Sequence, residues 1–214
     1  MIEYPKINTI FKRDENGKII YGSYSLPAFE LLKDISWMYT EKVDGTNIRV
    51  TFKKGCNDWI IAGRTNKASI PTFLMDKLKS IFNEEKWHNT DQLFQNTSSD
   101  FFITFYGEGF GNRIQSVGKL YNSSDVDFVC FDVLINDRWQ ERDNILDICE
   151  KLSLNVVPVI GYGSLSKAVD IVRNGFKSAW GDFLAEGLVL RPKIVLCDRF
   201  GQRIITKIKH RDFK

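Results

Sequence analysis

The sequence predicts an α+β fold of antiparallel β-sheets with flanking helices. Three features of the 214 residues carry that expectation. Strand-like apolar segments outnumber helical ones, the helical segments fall among them at irregular intervals, and no proline-, glycine- or serine-rich linker interrupts the chain. Residues 1–214 therefore read as one domain, without internal repeats or low-complexity segments.

The opening stretch, to about Pro27, mixes turn signals (Asn16-Gly17, Gly22) with Tyr21 and Tyr24, and is expected to pack as an irregular arm or short hairpin. Strands are expected over 38–43, 46–53 and 58–63. Over 71–82, Phe73, Leu74, Leu78 and Ile81 have helical spacing, with Pro71 in the first turn. Residues 83–100 are polar and read as a loop or weak helix. The aromatic run 101–106 reads as a buried strand ending at Gly107, and 127–134 as another. Residues 143–152 carry a helical stripe of Ile145, Leu146, Ile148 and Leu152, and Ser164 is placed to cap a helix over 164–172. Segments 185–190 and 203–208 complete the strands.

Hydrophobic residues make up 43% of the chain, enough for a core, which excludes global disorder. Thirty basic and 27 acidic side chains leave a net charge of +3. Any nucleic-acid site must then come from local clustering, as at Lys207, Lys209, His210, Arg211 and Lys214. Cys56, Cys130, Cys149 and Cys197 form no CxxC pair and have no histidine at metal-ligand spacing, so reduced thiols of a reducing cytosol are expected. No apolar run reaches the length of a membrane span, and no secretory signal is recognisable, so no membrane partner is expected.

The segment Glu41-Lys42-Val43-Asp44-Gly45-Thr46-Asn47 lies between two strand-like runs. Its lysine offers a nitrogen nucleophile, Gly45 a tight turn, and Thr46 and Asn47 short polar groups for a ribose or phosphate. Alone, the string reads as a hairpin turn. Further segments alter that weighting. Arg64 closes the third strand and can grip a phosphate with its planar fork. Glu108 stands between two glycines after a strand, where a ligand can approach the backbone. Phe131-Asp132 ends an apolar strand. Glu186 opens a strand, where an inward carboxylate needs a cation. Lys207 and Lys209 share one face of the last strand by alternation.

In order, a lysine nucleophile, an arginine, a carboxylate, an aromatic ring, a second carboxylate and a lysine pair stand at strand ends or on strand faces. That order, over 41–209, resembles the covalent nucleotidyltransferase superfamily of polynucleotide ligases and mRNA capping enzymes. Glu41-Lys42-x-x-Gly45-Thr46-Asn47 with Lys207-x-Lys209 is most similar to the RNA ligase 2 family and related phage-type RNA ligases. The resemblance implies an ATP-grasp-like nucleotidyltransferase fold. It implies that Lys42 attacks the α-phosphorus of ATP and carries AMP as a phosphoramidate. AMP would pass to a 5′-phosphate end, which a 3′-hydroxyl then seals. Glu41, Asn47, Arg64, Glu108, Phe131, Glu186, Lys207 and Lys209 would bind nucleotide, Phe131 by stacking on adenine. Asp44, Glu108 and Glu186 would hold Mg2+ or Mn2+. RNA is the expected substrate, in a bacterial or phage-infected host cytosol. The alternatives are a DNA ligase acting on nicked duplex, a GMP-transferring capping enzyme, and a non-sealing adenylyltransferase or binding module. Many relatives add an OB-fold or helical module; with Lys214 soon after Lys209, a catalytic domain alone is expected here, with room for a separate nucleic-acid-binding protein.

Overall fold

The computed structural model describes residues 2–214, and the chain forms two compact units. Unit I contains the residues up to Tyr4 and Asp44–Val156; unit II contains Pro5–Val43 and Val157–Lys214. Lys42 and Asp44, two residues apart in one motif, thus fall in different units.

Unit II begins with β1 (Asn8–Thr9), β2 (Phe11–Arg13), β3 (Ile19–Tyr24), α1 (Pro27–Leu31) and β4 (Trp37–Glu41). The Asn16-Gly17 signal does mark a hairpin: β2 pairs antiparallel with β3, and Asp14 Oδ1 accepts from the Asn16 and Lys18 amides. β4 is buried along its whole length.

Unit I follows with β5 (Thr46–Lys53), β6 (Ile60–Gly63), α2 (Thr72–Ile81), α3 (Glu84–Leu93), β7 (Phe102–Gly111), α4 (Gly118–Tyr121), β8 (Val126–Ile135), β9 (Arg138–Trp139) and α5 (Arg142–Lys151). Its antiparallel sheet has the order β6-β5-β7-β8-β9. One face is apolar: Ile48, Val50, Phe52, Ile103 and Phe105 share a core with Leu74 and Leu78 of α2 and Ile145 and Ile148 of α5. Each such side chain contributes about 1.5–3 kcal/mol on burial. β7 runs four residues past Gly107, where the sequence suggested its end. The strand continues because neighbours occupy the space its glycines leave: the Phe128 ring and Val129 carbonyl fill the position of a Gly107 side chain, and Leu74 and Ile48 that of Gly109. Glu108 is therefore in the middle of a strand and not in a loop beyond it.

α3 is a full helix within the polar stretch 83–100, and its ends explain why. Asn83 Oδ1 accepts from the Lys86 amide at 2.9 Å, and Glu84 and Glu85 occupy the first turn. Past its other end, Lys54 Nζ donates to the carbonyls of Phe94, Gln95 and Thr97 at 2.8–3.3 Å. Periodicity is weak there because the helix is mostly exposed, with Thr90 its buried residue.

The chain then returns to unit II with β10 (Val159–Gly163), α6 (Leu165–Asn174), β11 (Gly187–Pro192), β12 (Thr206–Lys209) and a 3-10 turn, His210–Phe213. The sheet order is β1-β12-β11-β4-β10, antiparallel except for the β1–β12 pair. Leu165, Ala168, Val169 and Val172, on one stripe of α6, pack with Trp37, Tyr39, Leu188, Leu190 and Ile208. β10 was not expected from its glycine-rich sequence; pairing with β4 makes it a strand, with a register irregularity between Val159 and Gly161.

Removing the Lys54 ammonium takes a donor from the Phe94, Gln95 and Thr97 carbonyls just past α3, of which that of Phe94 keeps the Thr97 amide and hydroxyl. Lys54→Met is expected to lower unfolding free energy by about 1–2 kcal/mol. Urea denaturation reads the loss, and amide exchange should rise first over 84–97.

Candidate active site

Lys42 directly follows β4, and its amide donates to the Gly187 carbonyl at 2.9 Å. Gly187, the first residue of β11, faces Lys209 of β12 in the antiparallel register. These pairings bring Lys42, Glu186 and Lys209 together. Lys42 Nζ lies 2.7 Å from Glu186 Oε2, and Lys209 Nζ lies 2.6 Å from Glu186 Oε1. One carboxylate is thus shared by two ammonium groups, all three side chains being less than one-fifth exposed. Gly187 is required beside them: its φ is +158°, and a Cβ would stand 2.1 Å from the Ile208 carbonyl oxygen. Lys207 is half-buried and, by strand alternation, on the same face as Lys209.

Glu41 alternates to the other side of β4 and is 1% exposed. One of its oxygens accepts from Ser178 Oγ at 2.6 Å, the other from the Ala179 amide at 2.8 Å. Burial pushes its carboxyl above the ordinary range; the Ser178 and Ala179 bonds pull it part of the way back. In this structure Glu41 anchors the 176–186 segment that leads to Glu186.

In unit I the second face of the sheet is polar. Asn47 and Glu108 are directly paired across β5 and β7, as are Arg49 with Tyr106 and Thr51 with Thr104. Arg49 is fully buried, donating to the Gly63 carbonyl at 2.7 Å and to Asn66 Oδ1 at 3.0 Å. Burial lowers its guanidinium pKa. Asn47 Oδ1 is a buried acceptor with no hydrogen-bond partner. Tyr106 pairs with Asp132 and Gly107 with Cys130, so Phe131 is the extra residue of a β-bulge. The bulge turns Phe131 towards Tyr4, edge to face at 5.1 Å, while the Tyr4 hydroxyl donates to Asp132 Oδ2 at 2.8 Å. Phe131 remains half-exposed. Arg64 follows β6 and is exposed. Gly45 serves close approach rather than an unusual turn: a Cβ there would lie 2.3 Å from the Gly109 carbonyl oxygen.

The expected residues thus form two groups. Unit II holds Glu41, Lys42, Glu186, Lys207 and Lys209; unit I holds Asp44, Asn47, Arg64, Glu108 and Phe131. Among the described residues no cluster of three or more His, Cys, Asp or Glu side chains is arranged to hold a metal ion. Sequence reasoning missed Ser178, Ala179, Arg49 and Tyr4. Arg49 and Thr51 alternate with Ile48, Val50 and Phe52, a pattern that signals a polar second face. Ser178 and Tyr4 give no such signal, since their partners lie 137 and 128 residues away.

Glu41→Ala strands a buried hydroxyl and a backbone N–H, and should cost about 1–3 kcal/mol in urea denaturation. The raised carboxyl pKa fixes the sign of the pH dependence. Glu41 favours the folded state most at low pH, so the difference between parent and variant should shrink as pH rises from the ordinary carboxylate value through the raised one.

Known proteins share this fold. A variant of the Naegleria gruberi RNA ligase with ATP and Mn is 18% identical, with a TM-score of 0.64 over 98% of this chain and 64% of that one. An apo variant of the same ligase is 17% identical, with a TM-score of 0.64 over 98% and 62%. The ligase with PPi is 18% identical, with a TM-score of 0.61 over 96% and 61%. The chain therefore spans slightly over three-fifths of the length of these structures, which share its fold. No curated protein matches the chain. The RNA ligase family model matches residues 35–209, across both units, and the chain belongs to that family.

Proposed function

We propose that this chain carries out the nucleotidyl transfer of an ATP-dependent RNA ligase, with Lys42 as the residue that becomes adenylylated. The observation that carries this reading is the Glu186 carboxylate shared between Lys42 and Lys209 at 2.7 and 2.6 Å. A protonated amine cannot attack phosphorus, so this ion pair must open before Lys42 reacts. The triphosphate of ATP competes for both ammonium groups, and its arrival releases Glu186. Freed from Glu186, Lys42 gives up one proton to solvent to become the neutral amine. It then forms a P–N bond to the α-phosphorus as the P–O bond to pyrophosphate breaks, and a second N–H proton leaves to solvent. Lys207 and Lys209 offset the negative charge growing on the phosphate oxygens. AMP next moves to a 5′-phosphate end, and attack by a 3′-hydroxyl forms the phosphodiester and expels AMP.

The remaining side chains have matching roles. Half-exposed Phe131 offers a ring face to adenine. Glu108 and Asn47, paired on the polar face, suit a ribose, and the unsatisfied Asn47 Oδ1 fits a donor from a ligand. Arg64 is an exposed fork for phosphate. Glu41 acts on nucleotide through the segment it anchors. Asp44, Glu108 and Glu186 are carboxylates of the kind Mg2+ or Mn2+ takes. Such an ion would supply positive charge at the phosphates, through few protein oxygens and retained water. No helix among the described residues is long and apolar enough to cross a membrane. The four free thiols suit a reducing cytosol. Nucleic acid with 5′-phosphate and 3′-hydroxyl ends is the substrate, RNA before DNA, with or without a separate binding protein.

With α-labelled ATP and a denaturing gel, the parent protein should acquire covalent label and Lys42→Ala none. A labelled lysine in that variant would overturn the assignment. Glu186→Ala should lose metal-dependent labelling; an unchanged magnesium titration would remove Glu186 from the metal's ligands. Nicked RNA, DNA and hybrid duplexes then rank the substrates, RNA first.

A further inference from the structure

The segment 193–205, which joins β11 to β12, is not used by the chemistry above. It folds back on itself: Cys197 bridges Arg203, and the Ile204 amide donates to the Leu196 carbonyl at 2.8 Å. Its tip is a built turn. Asp198 Oδ1 accepts from the amides of Phe200 and Gln202 at 2.8 and 2.9 Å, and the Asp198 amide donates to the Gln202 carbonyl. Gly201 sits in the left-handed region at φ +75°. The turn holds Phe200 outward, 71% exposed, with the Arg199 guanidinium 4.7 Å from its ring centroid. Ile194 on the same segment is 62% exposed.

Charge is concentrated here as well. Residues 191–203 carry Arg191, Lys193, Arg199 and Arg203 against Asp198 alone, a local net charge of +3, equal to that of the whole chain. The single carboxylate, itself exposed, accepts from two backbone amides through one oxygen, and beside it the tip presents the exposed Arg199 and the Phe200 ring. A flat apolar face beside a guanidinium, on a basic segment, has the features that bind a nucleic-acid strand: a base stacks on the ring and a phosphate meets the arginine.

We propose that the Arg199-Phe200 tip is a docking point for an RNA strand, with Phe200 stacking on an unpaired base and Arg199 contacting the adjacent phosphate. The inference rests on the ligase reading for its choice of partner, but its test does not depend on catalysis. β11 and β12 continue from the two ends of this segment to Gly187 and to Lys207 and Lys209, so the tip is tied by the sheet to the residues around Glu186.

The test is fluorescence anisotropy of the full chain with a dye-labelled, 5′-phosphorylated single-stranded oligoribonucleotide, alongside self-adenylylation with α-labelled ATP. Phe200→Ala should weaken binding about 5- to 100-fold, and Phe200→Trp should restore it. Arg199→Gln should reduce the slope of log K against log salt by about 0.7. Self-adenylylation should be unchanged in all three. A Phe200→Ala affinity within about twofold of the parent overturns the proposal, as does a parent that binds no oligoribonucleotide at low salt. A parent that binds through Phe200 but is never labelled by ATP upholds the tip as an RNA contact and rejects the ligase reading. Equal loss of binding to an unrelated polyanion, heparin, on Phe200→Ala would reject base stacking.

Discussion

The shared Glu186 carboxylate is the interaction that ties the ends of β4, β11 and β12 together in unit II. Two ammonium groups within 2.7 Å of one carboxylate leave a surplus positive charge in a largely enclosed place. That surplus is tolerable because each ammonium lies against the carboxylate, and it is the feature from which polyphosphate binding is proposed. Strand register makes the cluster. β11 is flanked by β4 and β12, so its first residues lie beside the end of one and the last residue of the other. A slip of one residue in β12 would carry Lys207 and Lys209 to the opposite face and abolish the arrangement.

The same sheet explains why Glu41 and Lys42, neighbours in sequence, do different work. Alternation sends Glu41 to the buried side, where it fixes the Ser178-Ala179 backbone. That segment runs directly into Ala185 and Glu186. The carboxylate that shares the two lysines is therefore held from both sides, by β11 after it and by the Glu41 anchor before it. Burying an ionised group in this way is costly alone; two short hydrogen bonds offset much of the cost.

Unit I solves a different problem. A sheet covered by helices on one face still has a second face, and here that face is polar from Asn47 to Thr51 and from Thr104 to Glu108. Arg49 and the Thr51–Thr104 hydroxyl pair are satisfied internally. Tyr4 covers part of the face with its ring while its hydroxyl reaches Asp132. Asn47 Oδ1 is the acceptor left for something else. The bulge at Phe131 lets that ring and the next residue, Asp132, both reach Tyr4.

Local chemistry was legible in the sequence. The α+β class, both long aromatic strands and the helices near 71–82, 143–152 and 164–172 all follow from periodicity, and the candidate site residues were picked out by motif order. Those are short-range properties, written within a dozen residues. What tertiary structure alone decided depends on partners distant in the chain. Lys54 ties down the carbonyls that follow helix 84–93, β4 makes a strand of 159–163, and Phe128 and Leu74 carry β7 through two glycines that looked like its end. Only the fold shows that Lys42 and Lys209 meet on one carboxylate, and that Glu41 faces Ser178. A sequence specifies which groups are present and which way a strand alternates; which carboxylate an ammonium reaches is set by register and packing between segments more than a hundred residues apart.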